Sequence, residues 1–469
     1  MEFDVEFLAR LQFAFTIMFH YIFPPFNIGL GLLLVVFESI YLLTGEKIYE
    51  SITRFWIKIF AACFSVGVAS GIVMEFEFGT NWATYSRFVG DVFGSPLAAE
   101  GIFAFFLESG FLAILLFGWG RVKPWFHLFS TIMVALGSIL SAFWIVVANS
   151  WQQTPIAYEI VDQAGMARAV ITDFWEMVFN PSSAVRFTHV ILGAFIQGSF
   201  LVMSVTAYYY LKKKFQQFAV RGFAISLFVA FIASISQLII GHKHSEVVAE
   251  YQPAKLAAFE GLYVSTRKAP LYIIGYTNSE KRTTMGIKAP GMLSYLLYGD
   301  SQARVMGLNE IPNNDWPPVG IVFQTYHIMV ALGMLFIGFT ILAIILLCRG
   351  TLFEQKWLLK IFIIGVPLTV IANQLGWVSA EMGRQPWIVY GLLKTNEGIS
   401  KSVTSLEIFV SLLLFIIVYI LLFFVWLYII DKEIKHGPDC PEDMPVAGFN
   451  LKSLKIPFLP KRIKNSDGL

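Results

Sequence analysis

The chain has 469 residues, 57% apolar and 14% charged, where soluble domains run about 45–50% apolar and about 25% charged. With 45 Phe and a mean hydropathy of +0.66, the apolar excess points to a bilayer and excludes an ordinary soluble enzyme. A net charge of +2, with no basic block outside the loop ends, excludes nucleic acid as the main partner. The three cysteines, Cys63, Cys348 and Cys440, form no C-x-x-C pair, which removes a disulfide framework, a thiolate iron–sulfur cluster and covalent c-type haem. A redox cofactor would have to be held by His, Met or carboxylate.

Apolar runs of spanning length lie at about 11–43, 55–76, 96–119, 126–149, 187–210, 222–241, 319–348, 357–380 and 405–430. The sequence therefore predicts an all-α polytopic membrane protein, a bundle of nine transmembrane helices. The first run is too long, and too polar at its start, for a cleaved signal peptide and is expected to be retained. Membrane helices 1–6 occupy 1–241, an external segment rich in Gly, Pro, Asn and charge occupies 242–318, helices 7–9 occupy 319–430, and a tail follows over 431–469. Lys and Arg concentrate after helices 1, 3, 5, 7 and 9, as in Lys47, Arg121, Lys212, Arg349 and Lys432, which places the C-terminus in the cytoplasm and the N-terminus outside. Trp56, Trp119, Trp125, Trp357 and Trp426 are expected at the inner interface, and Trp82, Trp151, Trp316 and Trp387 at the outer. Without an internal repeat, the odd helix count gives little support to an inverted-repeat transporter.

Ionisable groups at membrane depth cost about 2.5–3.5 kcal/mol each on insertion scales, so each is a functional candidate. In chain order they are His20 in helix 1, Glu100 and Glu108 in helix 3, His189 opening helix 5 and Glu381 ending helix 8, with Met329 in helix 7 as a further candidate ligand. The topology puts all but mid-depth Glu108 in the outer half. Imidazole, thioether and carboxylate in one layer of an apolar bundle suit haem iron. Each also has a plainer reading: His20 as a hydrogen-bonded core histidine, His189 as an interface residue, Met329 as packing, Glu381 and Arg384 as an i,i+3 ion pair. Glu100 and Glu108, about 80° apart around a helix, suit either a proton path or paired structural carboxylates. His242 and His244, read as loop residues, resemble a metal pair superficially.

Several ordered stretches resemble one family: LQFAFTIMFH ending at His20, MEFEFGTNW from Met74 to Trp82, PLAAEGIFAFFLES spanning Glu100 and Glu108, ALGSILSAFWIVVANSW through Asn149 and Trp151, QPAKLAAFE from Gln252 to Glu260, and GRQPW from Gly383 to Trp387. Over essentially the whole chain the sequence is similar to the haem-bearing subunit I of cytochrome bd quinol oxidases, and it resembles the short external-loop class. The resemblance implies that His189 and Met329 are axial ligands of a low-spin haem b. It implies that His20 and Glu381 ligate two high-spin haems, one haem b and one haem d or a third haem b, with the pairing left open. Glu100 and Glu108 are then the carboxylates that pass protons or compensate charge. Lys255, Glu260 and nearby Gln252 belong to the quinol site, and Trp377 and Arg384 to the surroundings of the haem cluster.

An Arg that some members place two residues before the Met ligand is His327 here, which makes His327 the reserve ligand. The resemblance further implies a second membrane subunit (subunit II), a small single-helix subunit, ubiquinol or menaquinol, O2, and a bacterial inner membrane location. Two other classes use the same buried charges: an ion transporter, which would purify without haem, and a haem b anchor for a quinone-linked dehydrogenase, which would show low-spin haem alone.

Overall fold

The computed structural model describes residues 4–163 and 165–439, so the tail from Cys440 onward lies outside the described residues. Among the described residues, nine helical stretches are long and apolar enough to cross a bilayer, as the hydropathy runs predict. In chain order the helices are α1 (Val5–His20), α2 (Phe23–Thr44), α3 (Lys47–Thr80), α4 (Ala83–Phe88), α5 (Gly90–Ala99), α6 (Phe106–Phe117), α7 (Pro124–Gln153), α8 (Phe174–Val178) and α9 (Ser183–Leu211). They continue as α10 (Gln216–Tyr251), α11 (Pro253–Phe259), α12 (Met292–Tyr298), α13 (Val319–Arg349), α14 (Lys356–Met382) and α15 (Ser405–His436).

Three departures from the hydropathy reading matter for the site. The first apolar run is two helices, broken at Tyr21–Ile22. Pro24 and Pro25 have no N–H to donate back to α1, so the chain restarts with proline in the first turn of α2, where a missing N–H costs little. His20 therefore ends a helix inside the span. The third run is interrupted by a π-helical turn, Glu100–Phe105, between α5 and α6, a local widening that often marks functional sites. The sixth helix runs to Tyr251, ten residues past the end of its apolar run, so His242 and His244 are helical rather than loop residues. Hydropathy falls there, yet His244, Val247, Val248 and Tyr251 recur at i, i+3, i+4 and i+7, the signature of a continuing amphipathic helix.

Helices α9, α10, α13 and α14 pack in a closed ring, each against its two neighbours, around a core of Phe200, Met203, Phe223, Leu227, Phe336 and Phe362. Helices α2, α3 and α7 pack alongside, with α2 pressed on α9 where Gly29 meets Gly198: a Cβ at Gly198 would lie 2.6 Å from the Gly29 Cα, so no larger residue fits this crossing.

One end of the bundle carries the long connection, here the loop end. The connection is ordered: α11, a hairpin of Leu271–Asn278 and Thr283–Ala289, and α12 form a small core with Val319 and Val322 of α13. At the opposite, tail end, Arg221 pairs with Glu46, and the Tyr209 hydroxyl donates to the Ile434 carbonyl at 2.7 Å. Of the tryptophans expected at interfaces, Trp125 and Trp357 are exposed but Trp56, Trp82, Trp151 and Trp426 are buried in the bundle, because their helices are covered by neighbours at those depths.

Candidate functional site

The loop ends of α7, α9 and α14 converge on Glu381. Its Oε1 accepts from Asn149 Nδ2 and Gln153 Nε2, both at 3.1 Å, and its Oε2 lies 2.6 Å from Arg384 Nη2. The i,i+3 ion pair is thus formed. It is one part of a larger polar cluster, in which Arg186 donates to Asn149 and Lys255 Nζ to Gln153, while Gln252 Nε2 donates to the Gln153 carbonyl at 2.9 Å. Arg186, Arg384 and Lys255 are all buried. Burial, reinforced by Arg186, holds the Lys255 amine well below the usual lysine range, with Glu381 opposing.

Lys255 and Glu260, expected to act together on the external connection, face different neighbours. Lys255 looks into the Glu381 cluster. Glu260 is hydrogen-bonded to Tyr326 of α13, whose ring stacks on Phe259 at 4.5 Å. Burial pushes the Glu260 carboxyl up to about 8, against a smaller lowering by that hydrogen bond.

The candidate iron ligands lie just inside this cluster. His189 of α9 and Met329 of α13 stand on diagonally opposite helices of the four-helix ring, the arrangement that lets two side chains approach one planar group from both faces. Met329 Sδ lies where a Cβ on Gly376 of α14 would be 3.0 Å away. Among the described residues, His189 Nδ1 is buried without a hydrogen-bond partner, and the His189 ring meets that of His244 at 5.5 Å. His327 is placed differently: Nδ1 lies 2.9 Å from the Phe323 carbonyl and Nε2 3.0 Å from the Tyr272 carbonyl. A neutral imidazole donates to only one of these carbonyls, but both ring nitrogens lie against main-chain oxygens, so neither faces an open position for a metal. Of the two candidates on α13, Met329 has the free ligand atom.

His20 is oriented by Ser70, whose hydroxyl donates to the Val66 carbonyl at 2.8 Å and so receives His20 Nδ1–H at 3.1 Å. That fixes the tautomer with Nε2 bare, as metal-ligating histidines require. Trp377, one turn before Glu381, meets Tyr21 edge-on at 5.4 Å, which joins the His20 side of the bundle to the Glu381 side. Glu100 and Glu108 are both anchored to α7: Ser141 Oγ donates to Glu100 at 2.6 Å and Ser138 to Glu108. The two serines are three residues apart on one face of α7, and the π turn brings both carboxylates to it. A Cβ on Gly137 would sit 3.0 Å from the Glu108 backbone nitrogen, so glycine is what permits this approach.

The residues fit haem. Two guanidiniums, always charged, face the single Glu381 carboxylate, and Arg186 Nε and Arg384 Nη1 are buried without a partner among the described residues. Buried positive charge in excess calls for an anion, and haem propionates supply one beside the His and Met donors. His242 and His244 do not form a metal pair: His242 pairs with Glu246 at 3.2 Å, His244 faces His189, and no group of three or more metal-type ligands occurs among the described residues.

A family model described as cytochrome bd terminal oxidase subunit I matches residues 8–438. The chain belongs to that family. Among relatives of this cytochrome bd subunit I, the cytochrome bd ubiquinol oxidase subunit 1 of Bacillus subtilis (strain 168) is 37% identical, covering 94% of this chain and 96% of the relative. The cytochrome bd-II ubiquinol oxidase subunit 1 of Escherichia coli (strain K12) is 33% identical, covering 93% of this chain and 97% of its own. The structure of bd oxidase from Geobacillus thermodenitrificans superposes with a TM-score of 0.85 at 29% identity, covering 93% of this chain and 99% of that one.

Sequence reasoning passed over three groups in this cytochrome bd subunit: Gln153, which links Lys255 to Glu381; Glu77, buried and bonded by Thr16 Oγ1 at 2.6 Å; and the Glu38–His127 pair. Glu77 stands inside the MEFEFGTNW stretch and was detectable there as a carboxylate at membrane depth.

Proposed function

We propose that this chain is the subunit of a bacterial inner-membrane quinol oxidase in which quinol is oxidised at the loop end, taken as the outer face, and O2 is reduced to water within the bundle. The observation that carries the proposal is the placement of His189 and Met329 on diagonally opposite helices of a four-helix ring, beside the guanidinium-rich Glu381 cluster. His189 and Met329 would hold a low-spin haem b; His20 and Glu381 would hold the two high-spin haems, one haem b and one haem d or a third haem b. The haems, when bound, supply the one-electron steps that join two-electron quinol oxidation to four-electron oxygen reduction.

The chain's own residues manage binding and protons. Glu260 accepts a quinol proton, Lys255 with Gln252 orients a quinol oxygen, and Arg186 and Arg384 hold anionic groups beside Glu381. Glu108 and Glu100, bound to successive serines of α7, carry protons toward the high-spin pair from the tail end. If quinol protons leave outside while protons for water enter from the cytoplasm, charge separates without a pump. Partners are subunit II, a small single-helix subunit, and ubiquinol or menaquinol.

A reduced-minus-oxidised spectrum with pigment extraction, together with quinol-driven oxygen consumption, tests this reading: low-spin and high-spin signals are expected together. A low-spin signal alone would indicate a dehydrogenase anchor, and no haem at all a transporter. The orientation has its own test. Reporters fused after Lys214 and after His436 are expected to read cytoplasmic and one near Asp300 external; the inverse pattern would remove the outer-face assignment.

The raised carboxyl of Glu260 has a pH consequence. An acid accepts a proton only when ionised, so below its value of about 8 the fraction in the active form rises with pH, about tenfold per unit. Quinol oxidation is expected to show a rising limb that bends near pH 8, and Glu260→Gln is expected to flatten it; a limb that survives the substitution would assign the titration elsewhere.

A further inference from the structure

Toward the tail end, away from the haem layer, a histidine and a glutamate share a buried site that the proposed function does not use. Glu38 of α2 and His127 of α7 are 1% and 2% exposed. His127 Nδ1 lies 2.7 Å from Glu38 Oε1, Thr131 Oγ1 donates to Glu38 Oε2 at 2.6 Å, and His127 Nε2 lies 3.3 Å from the Leu115 carbonyl of α6. The other charged groups near this pair are Arg54 of α3, whose guanidinium sits over the Trp119 ring at 4.7 Å and pairs with Glu50 at 2.6 Å, and Arg121 and Lys123 in the connection before α7. The Trp119 ring in turn covers His127 at 4.1 Å.

The partners fix the proton inventory. The Leu115 carbonyl only accepts, so Nε2 carries a hydrogen; a second proton is shared between Nδ1 and Oε1, and the dyad is neutral overall. It has room for one more. The Thr131 hydroxyl has a second acceptor, the His127 carbonyl at 3.1 Å, so when a proton arrives on Oε2 the hydroxyl turns to that carbonyl and Oε2–H donates to Thr131 Oγ1. The dyad then carries one positive charge, and release of the proton restores the first arrangement with no other bond changed.

Its position gives the store a use. Helices α6 and α7, which hold His127 through Leu115 and Thr131, also hold Glu108 and its partner Ser138. From Thr131 to Ser138 is seven residues of α7, a rise of about 10 Å. On the other side the Trp119 ring lies between His127 and Arg54, whose side chain is 42% exposed.

We propose that the Glu38–His127 dyad is the proton-loading site on the cytoplasmic side, taking protons from that face and passing them to Glu108 for oxygen reduction. The inference rests on the quinol-oxidase reading. Its test uses the intact complex with subunit II in lipid nanodiscs, comparing wild type with Glu38→Gln, His127→Gln and Glu38→Asp. Haem content, quinol-driven oxygen consumption across pH, and proton uptake on mixing the reduced complex with oxygen are measured. Full haem content with turnover and proton uptake both slowed about tenfold or more is expected for Glu38→Gln and His127→Gln, with Glu38→Asp recovering much of the loss. Full haem with wild-type turnover, pH profile and proton uptake would overturn the proposal, and so would haem loss in both Gln variants, which would make the dyad a clamp between α2, α6 and α7. A wild-type complex that fails to oxidise quinol would sink the functional reading instead, whatever the variants do.

Discussion

Replacing Glu381 by Gln is expected to abolish oxygen reduction while leaving the low-spin haem of His189 and Met329 in place. The substitution keeps the side chain's shape, and an amide oxygen still accepts from Asn149 and Gln153. What it removes is the one carboxylate facing Arg186, Arg384 and Lys255. Leaving buried guanidiniums without their partner typically costs about 3–5 kcal/mol, and the carboxylate proposed as an anionic iron ligand disappears with it. The expected result is a depleted or shifted high-spin signal and turnover reduced at least about a hundredfold. A variant with its full haem complement, an unshifted spectrum and near-normal oxygen consumption would leave Glu381 as an ion-pair residue alone.

The second large effect is expected at the four-helix ring. Met329→Leu keeps the volume and apolar character but deletes the sulfur, and His189→Ala deletes the imidazole from the facing side. Either is expected to remove the low-spin signal from the reduced spectrum while the protein stays inserted, with quinol-driven turnover lost. His327→Ala is expected to retain that signal, since both His327 nitrogens are spent on carbonyls; its effect falls on the contact between α13 and the Leu271–Asn278 strand. Loss of the low-spin haem in His327→Ala but not in Met329→Leu would reverse the ligand assignment.

How far the sequence carried depends on the kind of signal. Hydropathy located every span, because an apolar stretch of about 20 residues is dictated by the bilayer itself. It misjudged ends wherever helix continues beyond lipid, as in α10, since helical periodicity and apolarity part company there. The break after His20 was written in Pro24 and Pro25 but masked by continuous hydropathy. The candidate ligands stood out because ionisable residues are rare at depth. Glu38 and His127 belong to the same rarity, but they lie 89 residues apart and nothing local shows that they meet. The directions of Lys255 and Glu260 were equally illegible: the face of a seven-residue helix is decided by what packs on it, here Gln153 on one side and Tyr326 on the other.

The interruption between α1 and α2 bears on the order in which the subunit is built. There the Ile22 N–H turns to the Phe19 carbonyl, and the Met18 carbonyl takes its hydrogen bond from Gln374 Nε2 at 2.7 Å, from a residue synthesised 356 positions later. A second late donor, Gln197, reaches the Ile22 carbonyl at 3.3 Å. In lipid an unsatisfied backbone group costs several kcal/mol, so the first span to leave the translocon is incomplete until the fifth and eighth spans arrive. The stretch that ends in His20 is consequently among the first made and the last to settle, which makes maturation of the centre a late event, closed by the same helix that brings Trp377 and Glu381.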